Sequence, residues 1–221
     1  MTMLKTLQKL IKDNQSLLIF ILLMSCFRSA IADWYIVPTG SMKPTILEGD
    51  QITVNKIAYD LKLPFTSISL LKTGAPAHGD IIVFESVAAD TRLIKRVIGL
   101  PGDVVSMNNN VVTINGTTLN QRLLSETTNE YLFLETLDKS KHITRLKKHL
   151  NSNLSSFPKV TVPDGHYLVL GDNRLNSADS RVYGFVPHHE LKGKATHVAF
   201  SRDYDNLHLP RSERWFKSLY Q

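Results

Sequence analysis

Beyond residue 50 the chain is written in short β-branched runs separated by turn residues, and this commits it to a β fold. Gln51-Ile52-Thr53-Val54-Asn55-Lys56-Ile57 largely alternates polar and apolar side chains, as a half-buried strand does. Asp80–Phe84, Leu93–Ile98, Asp103–Met107 and Val111–Ile114 are equally short and β-branched. Asn108-Asn109-Asn110 reads as a turn, and Asn115-Gly116 as a hairpin turn leading into Thr117-Thr118-Leu119. His166–Leu170 and Ala195–Phe200 are later strands. The length of 221 residues suits one domain, or one domain with an insertion, and 43% apolar residues can fill a core. Between about 120 and 160 apolar residues thin out, charges and Asn/Ser increase, and Pro158 and Pro163 close the stretch. This predicts an insertion or small subdomain, with helical content around Leu137–Leu150.

Ahead of the β body lies a different kind of segment. Lys5, Lys9 and Lys12 precede the apolar run Leu17–Phe27, which Arg28 interrupts before Ser29-Ala30-Ile31-Ala32, Trp34 and Tyr35. A cleaved signal peptide fits the basic start, the apolar run and the Ala30-Ile31-Ala32 pattern. A lipoprotein signal ending at Cys26 fits less well, because Met24 is bulky. A retained anchor over 16–33 also fits, with Arg28 snorkelling and the two aromatics in the interfacial belt. A buried helix of a soluble domain is the plain alternative. The lysines before the span place residues 1–15 in the cytoplasm and the chain after 33 on the exported side.

Composition narrows the partners. The formal charge of +6 is a solvated surface or an attraction to anionic lipids. Basic residues are scattered, and the densest group, Arg145, Lys147 and Lys148 beside Lys141 and His149, lacks interleaved aromatics, so nucleic acid is not expected. The single cysteine, Cys26, excludes an intramolecular disulfide. None of the eight histidines forms a helically spaced pair beside an acid, so neither a metal nor a cofactor is expected.

Three segments carry chemistry. Pro38-Thr39-Gly40-Ser41-Met42-Lys43-Pro44-Thr45 offers a serine on a tight turn, where a serine is usually no more than a turn residue. Arg92–Asp103 places Lys95 among apolar residues; a strand lysine usually faces solvent, but Leu93 and Val97 share its face. A desolvated lysine can serve as the base that a serine needs to attack a carbonyl. Gly171-Asp172-Asn173-Arg174-Leu175-Asn176-Ser177-Ala178-Asp179-Ser180-Arg181, directly after an apolar strand, is dense in hydrogen-bonding groups. It reads either as a surface loop or as a loop that orients an active-site amine.

With Gly79–Phe84 these segments form four ordered blocks, and on them the chain resembles the type I signal peptidases, membrane-anchored Ser-Lys proteases that remove signal peptides from exported proteins. The likeness spans most of residues 16–200 and is weakest over 107–162, which it marks as a variable insertion. It implies an antiparallel β catalytic domain over 34–221, preceded by one retained transmembrane helix at 16–33. It implies Ser41 as nucleophile, Lys95 as general base, and an oxyanion hole from the Thr39 hydroxyl and the Ser41 N–H. Ser177 matches the residue that orients the amine. Asp179 with Arg181, and Asp172 with Arg96, match ion pairs whose role is equally well structural. Tyr35, Val37, Met42, Ile46, Val83, Leu93 and Ile94 would line two shallow pockets for the small residues of an Ala-x-Ala site; their apolar character suits a core equally well. Leu175 departs from the family, which often carries aspartate there. Preproteins would be the substrates and the bacterial inner membrane the location, with self-cleavage conceivable at Ala30-Ile31-Ala32. Two rival readings are a catalytically silent, membrane-anchored binding protein for signal peptides, and a dedicated processing peptidase of a secretion or conjugation system.

Overall fold

The computed structural model describes residue 6 and residues 11–66, 68–150 and 153–220. The helix α1 (Gln15–Ala30) leads into β1 (Ala32–Ile36) and β2 (Asp50–Asn55). A hairpin of β3 (Asp60–Lys62) and β4 (Ser69–Lys72) follows, then β5 (Ile81–Ser86) and β6 (Thr91–Gly99). Next come β7 (Val104–Asn108), β8 (Val111–Ile114), β9 (Thr117–Thr118), β10 (Asn120–Glu126), β11 (Glu130–Leu137) and β12 (Ser140–Lys147). The chain closes with β13 (Phe157–Thr161), β14 (His166–Leu170), the short helix α2 (Ser180–Tyr183), β15 (Val186–Pro187), β16 (Leu191–Asp203), β17 (Leu209–Pro210) and β18 (Lys217–Ser218).

The main sheet runs β1-β2-β16-β5-β6-β14-β15, with β17 and β18 paired to β16. A second sheet, β13-β7-β8-β9, and a three-stranded sheet, β10-β11-β12, occupy the middle of the chain. All the strand pairings are antiparallel. The mainly antiparallel β expectation therefore holds. Its turns behave as their residues dictate: Asn109, Asn110, Asn115 and Gly116 all have positive φ, the conformation a two-residue hairpin demands.

Both faces of β5 are covered, which explains its unbroken apolar run. Ile81 and Val83 join Val37, Met42, Ile46, Ile52, Val54, Ala195 and Val198 on one face. Ile82 and Phe84 join Tyr59, Val97, Tyr167, Val169, Val186 and Leu191 on the other. A third cluster, around Ile98, Val105, Val112 and Leu170, ties the second sheet to β14.

The predicted helical content around Leu137–Leu150 is a hairpin. Asp138 takes φ 53° between β11 and β12, and β12 alternates as a strand. The reason is unusual patterning: the inward positions of β12 are His142 and Thr144, at 4% and 1% exposure. Polar inward residues hide the period of two, and Ile143 with Leu146 imitates helical spacing. The range 107–162 starts inside β7 and ends just after β13. Two members of the basic group of this region are paired, Arg145 with Glu130 and Lys148 with Glu126 at 2.7 Å.

Among the described residues no helix is long and apolar enough to cross a membrane; α1 has 16 residues. Lys5 and Lys9 lie outside the described residues. The apolar side chains from Leu17 to Met24 all stay exposed. Arg28 bonds Asp33 at 2.8 Å and lies 4.5 Å from the centre of the Trp34 ring.

Candidate active site

The turn after β1 is pinned from beneath. Met42 and Ile46 are 1% and 0% exposed and sink into the core, while Ser41 between Gly40 and Met42 stays half-buried. Lys43 N donates to Gly40 O at 3.1 Å and Ile46 N to Met42 O at 3.0 Å, so the turn is internally bonded. The 171–174 loop grips it from the side. Asn173 donates from Nδ2 to Gly40 O at 2.9 Å and from its backbone N to Ser41 O at 3.0 Å.

On β6, Lys95 and Arg96 point to opposite faces, as consecutive strand residues must. Both are buried, at 2% and 1% exposure, which for cations requires an arrangement specific to each. Arg96 is paired: it donates from Nε and Nη2 to the two oxygens of Asp172 at 2.8 and 2.7 Å, and from Nη1 to Gly79 O at 2.8 Å. Thr45 Oγ1 adds a 2.5 Å bond to Asp172. Burial works to raise the Asp172 carboxyl, but the Arg96 guanidinium holds it below the usual carboxylate range. Lys95 has no carboxylate within ion-pair distance among the described residues. Its Nζ lies 2.8 Å from Ser41 Oγ. Asp179 is occupied by both Nε and Nη2 of Arg181, at 2.8 and 2.7 Å.

The Lys95 amine is therefore lowered to about 8, chiefly by burial and further by the Arg181 charge, against the pull of Asp179 and Asp172. A buried, unpaired amine at hydrogen-bond distance from a half-buried hydroxyl can, once neutral, take that hydroxyl's proton.

The other residues singled out in the sequence are distributed less simply. Ser177 is buried, but its Oγ has no partner, and it does not bond the Lys95 amine. Its side chain lies over Gly171 instead. Thr39 is exposed two residues before Ser41. Of the residues expected to line pockets, Val37, Met42, Ile46 and Val83 are at most 2% exposed, so they form a core floor and do not reach the surface. Tyr35 and Ile94 are half-buried against that cluster, whereas Leu93 packs into the core on the opposite face of the sheet. The correction has a simple cause: core and pocket lining are both apolar, and alternation alone does not separate them.

Gly171 is the tightest point. A Cβ there would meet Ser177 Cβ at 2.5 Å and Ser41 O at 2.6 Å. Gly171→Ala must therefore displace both the Ser177 side chain and the Ser41 carbonyl, or shift the backbone at 171 itself. If Ser41 reacts, a shift of about 1 Å at its backbone costs about 100-fold in rate, and that loss, at an unchanged substrate affinity, is the outcome expected in steady-state turnover. Activity within about threefold of the unaltered chain would show that the backbone at 171 absorbs the clash and leaves Ser41 in place.

Comparison with known proteins decides the family. Residues 8–200 match the model of signal peptidase, peptidase S26. The chain belongs to the signal peptidase family. It is thereby a serine endopeptidase. A signal peptidase I of Pseudomonas fluorescens is 34% identical over 224 residues, covering 93% of this chain and 78% of that one. A signal peptidase I of Rickettsia bellii is 36% identical, covering 86% and 73%. A crystal structure of a signal peptidase I from Enterococcus faecalis V583 is 31% identical, covers 54% of this chain and 96% of that one, and has a TM-score of 0.35.

Some contacts in this signal peptidase family member escaped sequence reasoning. Asn173 lies inside the segment dense in hydrogen-bonding groups, where nothing local sets it apart from its neighbours. Glu135, Arg174 and His142 form a buried cluster, at 0%, 1% and 4% exposure. Burial raises the Glu135 carboxyl, but Arg174 and His142 together hold it well below its ordinary range. Burial, helped by the Arg96 charge, lowers the His142 imidazole. Nothing local in the sequence joins Glu135 to Arg174, 39 positions away.

Proposed function

We propose that the chain removes signal peptides from exported preproteins by Ser-Lys chemistry, cutting after the second small residue of an Ala-x-Ala site. The observation that carries this reading is the 2.8 Å approach of Lys95 Nζ to Ser41 Oγ, with the amine buried and free of any carboxylate partner. Neutral Lys95 accepts the Ser41 proton as Oγ attacks the scissile carbonyl. The carbonyl oxygen becomes an oxyanion, for which the Thr39 hydroxyl and the Ser41 N–H are the donors at hand. Neither of these groups has a protein partner among the described residues. The tetrahedral intermediate collapses, Lys95 returns the proton to the departing amine, and the signal peptide remains as an ester on Ser41. Water, deprotonated by the same amine, hydrolyses the ester. Asp172–Arg96 and Asp179–Arg181 keep carboxylates and guanidiniums occupied with one another, which leaves Lys95 free to be neutral.

The membrane side of the proposal is a single-pass anchor at 16–33 in the bacterial inner membrane, with residues 1–15 cytoplasmic and the catalytic domain exported. Its support is the continuous exposure of the apolar side chains of α1, the interfacial pairing of Arg28 with Trp34, and a net charge of +6 suited to anionic lipids.

The test is cleavage of a preprotein by the full chain across pH. Below about 8 the amine is an ammonium ion and cannot accept a proton, so kcat/KM is expected to rise about tenfold per pH unit and level off above that midpoint. A profile flat from about pH 6 to about pH 9 would remove Lys95 from the role of base. A preprotein that is bound but never cut would replace the enzyme with a binding protein.

A further inference from the structure

Asp172, Asn173 and Arg174 are consecutive, all at most 1% exposed, and each is held by a different part of the molecule. Asp172 takes Arg96, the neighbour of Lys95. Asn173 takes the backbone carbonyls of Gly40 and Ser41. Arg174 turns away from the main sheet and donates through both terminal nitrogens to Glu135 on β11, with Nη1 3.0 Å from Oε2. The neighbouring strand β12 joins the same three residues: Arg145 N donates to Asp172 O at 2.8 Å, and Arg174 N donates to Arg145 O at 3.1 Å. Over these residues the loop belongs to no strand or helix, so such anchors set its position.

Glu135 is itself held rigidly. It is 0% exposed; Gln121 Nε2 lies 2.6 Å from Oε2, and His142 Nε2 lies 3.1 Å from Oε1. A planar guanidinium fork on a carboxylate fixes direction as well as distance. The contact therefore passes from the three-stranded sheet to Arg174, from Arg174 to Asn173 through one peptide unit, and from Asn173 to the turn that carries Ser41.

We infer that Glu135 is a positioning residue for Ser41, acting through Arg174 and Asn173, and that the β10-β11-β12 sheet is part of the active-site scaffold. The inference rests on the reading of Ser41 as nucleophile. Glu135 is too far along this chain of contacts to touch substrate, so its effect falls on the chemical step and leaves the substrate pockets alone.

The experiment compares the full chain in detergent with Glu135→Gln and with the double variant Glu135→Leu/Arg174→Leu. The double variant removes both buried charges together, so neither is left unpaired. Three quantities are read: the melting temperature, kcat and KM on a preprotein with an Ala-x-Ala site, and hydrogen exchange of the segment 38–47. The expected result is a kcat lower by about tenfold for the glutamine and about 100-fold for the double variant, with KM within about twofold. Exchange over 38–47 is expected to quicken by about tenfold in both. A contact that only stabilises the fold would move the melting temperature while kcat per folded molecule and exchange over 38–47 stay as in the unaltered chain, and that result overturns the inference. Should the double variant not fold, Glu135→Gln decides by the same readings. If the unaltered chain does not cleave, the reading of Ser41 falls, and exchange over 38–47 still decides whether Glu135 holds the turn.

Discussion

Lys95→Met is expected to lower kcat/KM on a preprotein by about 10²–10⁴-fold, the range that a general base contributes. Methionine matches the lysine stem in length and leaves the strand pairing of β6 with Ile82 untouched, so the loss reports on the amine alone. The same variant is expected to gain stability. In the folded chain the amine is lowered to about 8, chiefly by burial, whereas in the unfolded chain it titrates near about 10.4. Between these values the unfolded state binds more protons, so the stability of the unaltered chain rises with pH there. Below about 8 both states are protonated and the full cost of burying the ammonium is present. The melting temperature of Lys95→Met should therefore exceed that of the unaltered chain most at pH 7 and below. The gap should close as pH rises from about 8 to about 10.4. Equal melting temperatures at pH 7 would mean that the amine is solvated in the folded protein. Cleavage that survives in the variant would assign the base elsewhere.

The second large effect is on stability. Asp172→Ala leaves the Arg96 guanidinium at 1% exposure without its carboxylate and takes the acceptor from Thr45. Breaking one side of a buried pair costs about 3–5 kcal/mol, which for a chain of this size lowers the melting temperature by about 6–20 °C. Because the folded carboxyl sits below its unfolded value of about 3.9, its contribution is fully present above about pH 5 and fades as pH falls through the folded value. The melting difference between the two proteins should therefore narrow in acid. A destabilisation under about 1 kcal/mol at pH 7 would show that water reaches Arg96 and replaces the carboxylate. Replacing both partners by apolar residues should cost less than removing one.

Ser41 and Lys95 stood out as candidates in the sequence because each sits in a short segment whose local chemistry is odd: a serine between glycine and methionine near prolines, and a lysine sharing its face with Leu93 and Val97. The strands were legible because the period of two survives in β2, and because β5 and β6 are short, β-branched apolar runs. What stayed hidden depends on distance or on inverted polarity. His142 and Thr144 face inward on β12, so the strand imitated a helix. The pair Glu135–Arg174 joins the three-stranded sheet to the 171–174 loop, which no motif connects. Val37, Met42, Ile46 and Val83 look like a pocket in one dimension and are a floor in three. Ser177, placed by resemblance beside the amine, instead lies over Gly171.

The order in which the main sheet is filled has a consequence for the life of the newly made chain. The strand that joins its two halves, β16, lies between β2 and β5, and it starts at Leu191. Ser41 sits beside the first half of the sheet and Lys95 in the second, and both are made long before that strand exists. At about 5–20 residues per second, the nascent chain spends on the order of ten seconds with both groups synthesised and the sheet between them not yet closed. On the Ser-Lys reading, a protease assembled in this order completes the sheet that joins its two reacting groups only when its last long strand slots into place. The timing of its birth is thus written into strand order, and a chain cut short before β16 would keep the Asp172–Asn173 link between the Ser41 turn and β6 but lack the strand that closes the sheet between them.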